Sequence, residues 1–112
     1  MRKAQKTFLA ALVLLLSSGP ALADRIDGTW CSPEGDAMTI EGSRVVTPGG
    51  NEVHGNYNRH HVDYAVPDGE PNAGGRINAD QIDDERIRVT VIRLVQLEPP
   101  AHEIWTRCEV IS

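Results

Sequence analysis

The chain has 112 residues, with 16 acidic and 11 basic side chains, two cysteines and four histidines. Every acidic residue lies after residue 23 and three basic ones lie before it, so residues 24–112 carry eight arginines, no lysine and a net charge of −8 with neutral histidines. A surface this acidic is repelled by nucleic-acid phosphates and anionic lipid headgroups, which excludes both as main partners and leaves good solubility as its plain consequence.

The first 23 residues read as a secretory signal peptide. Arg2, Lys3 and Lys6 make a basic start, residues 8–16 form a short apolar run, and Ala21-Leu22-Ala23 has the small-x-small pattern of a cleavage site. Nine apolar residues are too few to span a bilayer, and no later segment is apolar enough to insert once the signal is removed. The expected destination is the bacterial periplasm or the medium, with one domain over residues 24–112. In that oxidising setting Cys31 and Cys108 are expected to form a disulfide. There is no C-x-x-C, and neither cysteine has a histidine close in sequence, so a structural staple is favoured over a reactive thiol. Closing so long a loop contributes about 4–5 kcal/mol in the chain-entropy account.

In chain order, the predicted elements are short strands. Residues 37–42 and 43–50 give two strands about a Gly42-Ser43 turn. Residues 52–66 read as one longer strand, and the Pro-, Gly- and Asn-rich stretch 67–75 is a loop. Residues 76–92 form a strand, an acidic turn at residues 83–85 and a second strand, in which Ile87, Val89 and Val91 alternate with Arg88 and Thr90. After Pro99-Pro100, residues 103–111 make the last strand. No segment has a sustained helical period. The expectation is all-β: a small antiparallel meander barrel of six to eight short strands, its first and last strands tied by the one disulfide. An open two-layer sheet with the same staple is the alternative.

"IDGTW" (26–30), "GDAMTI" (35–40) and "GNY" (55–57) together resemble the opening of the calycin barrels, the lipocalins and especially the avidins. That resemblance implies a small-molecule-binding barrel, with Trp30 on the first strand packed beneath an arginine of the last strand, a role for Arg107. Tyr57 matches a ligand-contacting position. Ser32 stands where avidins have the Asn that meets the biotin ureido group, Asp36 replaces a hydroxyl, and of the further tryptophans only Trp105 is present. These departures argue against biotin.

The side-by-side His60 and His61 are the most conspicuous candidates for chemistry. On a strand over 52–66, neighbours face opposite ways. Tyr57, Arg59, His61 and Asp63 then share the outer face, while Asn58, His60, Val62, Tyr64 and Val66 share the inner one. One metal cannot take both rings, and the His-x-His spacing of strand-borne metal sites is absent. His61 is expected to be exposed and freely titrating beside Asp63; His60 is expected to be partly buried and harder to protonate. Tyr57, Arg59 and His61 offer a phenol, a cation and a switchable donor to a small anion or a carbohydrate, against the plainer reading of rim packing and a surface ion pair. The acidic turn 83–85 lacks a calcium-loop pattern. No G-x-S-x-G or equivalent is present, and so small a domain offers little cleft for paired carboxylates.

The sequence therefore favours a non-enzymatic periplasmic barrel, without cofactor or metal, holding an unidentified small molecule through Tyr57, Arg59 and His61. The alternative is a protein-interaction module, such as an inhibitor or an accessory subunit of an envelope complex.

Overall fold

The computed structural model describes residues 25–109; the predicted signal peptide lies outside them. The fold is all-β and antiparallel. Its strands are β1 (Gly28–Cys31), β2 (Ala37–Glu41), β3 (Arg44–Val46), β4 (Glu52–His54), β5 (Asn56–Asn58), β6 (His61–Ala65), β7 (Arg76–Asp83), β8 (Arg86–Ile92) and β9 (Ala101–Arg107). They form one sheet of order β4-β3-β2-β1-β9-β8-β7-β6-β5, curled into a nearly closed barrel. The chain's first and last strands are hydrogen-bonded neighbours, with Trp30 opposite Arg107 and Cys31 opposite Thr106. The Cys31–Cys108 disulfide secures that seam, with Cα atoms 5.0 Å apart across 77 residues of sequence.

The expected hairpins follow local chemistry. Gly42 turns β2 into β3 with φ +61°, and its N–H donates to Asp27 Oδ2 at 2.8 Å. At the β7–β8 turn, Asp83 Oδ1 accepts the Glu85 N–H at 2.9 Å, beside a register shift between Gln81 and Asp83. Along β8, Ile87 and Val89 are buried in the barrel while Arg88 faces out. The core continues through Trp30, Met38, Ile40, Val45 and Val62.

The strand count departs from expectation: there are nine strands among the described residues rather than six to eight, because residues 52–66 are not one strand. Gly55 is the first break. A Cβ there would lie 2.7 Å from the Asp63 carbonyl oxygen and 3.1 Å from Val62 Cγ2, so glycine allows the chain to turn a corner against β6. β4 pairs with β3 and β5 with β6, leaving β4 and β5 as the two edges of the sheet order. The second break is a tight turn at Arg59-His60, between the paired Asn58 and His61. No glycine marks it; instead Asn58 Oδ1 accepts the His60 N–H at 2.9 Å and holds the reversal.

One end of the barrel is plugged. Trp30 is completely buried, and its indole N–H donates to the Ile26 carbonyl at 2.8 Å. The Arg107 guanidinium stacks on the Trp30 ring, 4.3 Å from its centroid. The same guanidinium donates to the carbonyls of Asp27 and Arg25, each at 2.9 Å, and of Asp84 at 2.6 Å. Gly28 makes room for it: a Cβ at that position would lie 2.5 Å from Arg107 Nη1, and its φ of +130° is strained for any other residue. Trp30 thus has the arginine cover that the sequence suggested.

Trp30→Ala should cost about 3–5 kcal/mol in urea unfolding. Arg107→Ala should cost about 2–3 kcal/mol, because it removes the stack and a charged donor from three carbonyls. A loss below about 0.5 kcal/mol for R107A, the level of an ordinary surface substitution, would contradict the plug.

Candidate functional site at the open end

The opposite end of the barrel holds a cavity of about 280 Å³. Its floor comes from the strands: Tyr64 and Ile77 face each other across β6 and β7, Ile77 faces Val91 of β8, and Trp105 projects from β9. Asp36, Glu70 and Glu103 bring carboxylates to the same lining, together with Pro48, Gly49, Pro71 and Asn72.

Each rim residue is set by identifiable contacts. Ser32 is buried, and its hydroxyl accepts the N–H groups of Glu34 at 3.2 Å and Asp36 at 2.9 Å, which fixes the β1–β2 turn and Asp36 on it. The loop over residues 67–75 is laid across the end of β3. Glu70 Oε2 accepts from Thr47 Oγ1 at 2.5 Å and from Asn51 Nδ2 at 2.6 Å. A Cβ at Gly49 would lie 2.5 Å from Glu70 Cδ, so only glycine lets that carboxylate settle there. Asn72, at φ 69°, helps turn the loop back, and Gly74 N–H donates to the Val66 carbonyl at 3.1 Å.

Glu103 is the unusual member. The β8–β9 register places it opposite Val89, and Trp105 opposite Ile87, so both point to the barrel's inner side. The Trp105 indole N–H donates to Glu103 Oε1 at 3.0 Å. Tyr64 is buried, and burial, followed by the nearby Glu70 charge, pushes its phenol well above the usual tyrosine value; it stays a neutral hydroxyl.

Of the three residues picked from the sequence, Tyr57 and His61 lie on opposite faces of the sheet, and Arg59 sits in the turn between them, near enough for its charge to act on the Tyr57 phenol. The turn at Arg59-His60 resets the alternation, so Tyr57 pairs with Val62 on the core side while Asn58 and His61 pair on the outer side. The Tyr57 hydroxyl donates to Asp27 Oδ1 near the plug. That hydrogen bond, then burial and the Asp27 charge, raise its pKa. Arg59 lies in the turn and borders an open groove of about 500 Å³ with His60 and residues 81–84, built from turns rather than from the barrel interior.

The expectations for the two histidines are reversed. His60 is exposed on the turn. His61 is half-buried between two carboxylates, with Nδ1 2.6 Å from Asp80 Oδ1 and Nε2 2.7 Å from Asp63 Oδ2. Asp63 also accepts from Asn56 Nδ2 at 2.9 Å and pairs with Arg76. Burial alone would lower the His61 pKa, but the hydrogen bonds and charges of Asp63 and Asp80 outweigh it and raise it. The His61 hydrogen bond, against burial and helped by Asn56 and Arg76, holds Asp63 down at about 2. Among the described residues no group of three or more His, Cys, Asp or Glu side chains is arranged to hold a metal ion.

Compared with protein-family models, with curated proteins and with solved structures, the chain matches none. The site must be read from its own chemistry. Sequence reasoning passed over Glu103 and Glu70. The available signal for Glu103 was its i,i+2 relation to Trp105, which puts both on one face of the last strand.

The His61 cluster sets a pH window. Asp63, depressed to about 2, contributes stability above its unfolded value near 4 and loses it as pH falls towards 2. His61, raised, contributes below its unfolded value near 6.5 and loses it as pH rises through its folded value. The destabilisation by His61→Gln should therefore be largest between about pH 4 and 6.5, on the order of 1 kcal/mol for partly exposed groups, and shrink as pH rises through the raised folded value of His61. Urea unfolding across that range checks it; a difference that grows with alkaline pH would contradict the ion-pair reading.

Proposed function

We propose that this chain is a small calycin-like binding barrel of the periplasm or the medium that holds a small molecule at its open mouth without chemical turnover. The observation that carries the reading is the pairing of opposite ends. One end is filled by Trp30 beneath Arg107, and the other is a cavity of about 280 Å³ with an apolar floor and polar rim. Small-molecule sites are concave and mostly apolar, with a few placed polar groups, and barrel mouths are among their usual places. The mouth replaces the face of Tyr57, Arg59 and His61 as the binding surface. Its lining offers no histidine, serine or cysteine for nucleophilic chemistry. The signal-peptide pattern of residues 1–23 supports the location, and the disulfide suits an oxidising compartment.

A second reading, a protein-interaction module, is favoured by one specific feature. Leu94, Val95 and Leu97 on the β8–β9 loop are 75%, 68% and 89% exposed. That loop is tied to the mouth, where Arg93 Nε donates to Asn72 Oδ1 at 3.2 Å.

Native mass spectrometry on protein extracted from its own cells separates the two. The binding reading expects a stoichiometric small molecule on the wild-type chain, lost in Val91→Phe, which fills the mouth without touching the plug. A bare wild-type chain, or one that travels only with another protein, would overturn it.

A further inference from the structure

The chemistry of the mouth goes further than "small molecule". We infer that its ligand is an organic ammonium cation: a compact apolar body carrying a positively charged nitrogen. This inference rests on the binding reading above.

Three independent features of the cavity point the same way. The first is the sign of its charge: Asp36, Glu70 and Glu103 line it, and no Lys, Arg or His does. None of the three is ion-paired with a basic side chain among the described residues, whereas Glu41, Glu52, Asp63 and Asp83 each have an arginine partner. An anionic ligand would meet three uncompensated carboxylates, and a neutral one would leave their charge unanswered.

The second feature is the placement of Glu103. It stands at the exposed rim of the cavity, on the same sheet face as Val89 and Trp105, so its carboxylate borders both the apolar floor and the solvent. The Trp105 indole hydrogen bond orients one carboxylate oxygen but brings no positive charge. A protonated amine in the mouth would supply that charge and its hydrogen bonds together.

The third is the wall. Tyr64 and Trp105 both line the cavity, and aromatic faces attract cations while also contacting apolar groups. With Val66, Ile77 and Val91 they give the hydrocarbon part of the ligand a place distinct from the rim carboxylates. The acidic balance after residue 23 adds long-range attraction for a cation, which salt should screen.

The test uses three probes that share one hydrocarbon ring and differ only in the head group: cyclohexylmethylamine, protonated at neutral pH, cyclohexylmethanol and cyclohexanecarboxylate. Each is titrated into the disulfide-bonded protein by calorimetry and by indole N–H NMR. The amine should bind at least about tenfold more tightly than the alcohol, the carboxylate should not bind measurably, and added salt should weaken the amine alone. Glu103→Gln keeps an acceptor for the Trp105 indole, so the domain should fold as before. It should weaken the amine about fivefold and leave the alcohol unchanged. Equal binding of amine and alcohol, no effect of E103Q on the amine, or preference for the carboxylate would overturn the cation inference while leaving a small-molecule mouth standing. If none of the three probes shifts the Trp105 signal, both the inference and the binding reading fail.

Discussion

The stack of Arg107 on Trp30 is the contact on which the barrel's organisation depends. It joins the last strand to the first, the two elements furthest apart in sequence, and thereby makes β1 and β9 neighbours in the sheet. A domain of this size has limited apolar surface to bury, so a single aromatic-cation contact at the closure point carries a large share of its cohesion. The guanidinium also satisfies carbonyls from the segment before β1 and from the β7–β8 turn, groups that a hydrophobic residue would leave unpaired. Gly28 and the disulfide serve the same seam, one by leaving room and the other by limiting the unfolded chain.

Filling one end leaves the other to be shaped by loops. The Glu70 carboxylate binds the loop of residues 67–75 to Thr47 and Asn51, which holds the rim in place as the proposed binding would require. Pre-ordering of this kind lowers the conformational cost of binding. The clusters of ionisable groups on the outer surface have a different task. His61, Asp63, Asp80 and Arg76 knit β6 to β7 on the side away from the cavity, and their mutual satisfaction accounts for them without a ligand.

Much of the fold was legible in the sequence because period-2 alternation is a direct record of which side faces the core. Ile87 and Val89 in β8, the Gly42 turn and the acidic turn before Arg86 all read correctly for that reason. The Gly-x-Trp opening with a late arginine pointed to the Trp30–Arg107 contact. Residues 52–66 misled because their alternation looks continuous through two reversals. One depends on Gly55 meeting the β6 backbone, a tertiary contact, and the other on an Asn side chain standing in for a glycine. Missing the turn at Arg59-His60 inverted the facing of everything before it. Tyr57 moved to the core side, His60 to solvent, and His61 into a carboxylate pair donated partly by β7, whose register could not be known in advance. The mouth was hidden for a similar reason, since its residues come from seven separate stretches of the chain.

The central claim is a barrel plugged at one end by Trp30 and open at the other beside Trp105. Hydrogen exchange of the two indole N–H groups, followed by NMR, tests it most directly. Trp30, fully buried with its N–H on the Ile26 carbonyl, should exchange only through global unfolding, at a rate set by overall stability. Trp105, whose N–H is held by the exposed Glu103 at the cavity rim, should exchange many-fold faster through local opening. Trp30 exchanging as fast as Trp105, or faster, would contradict the account.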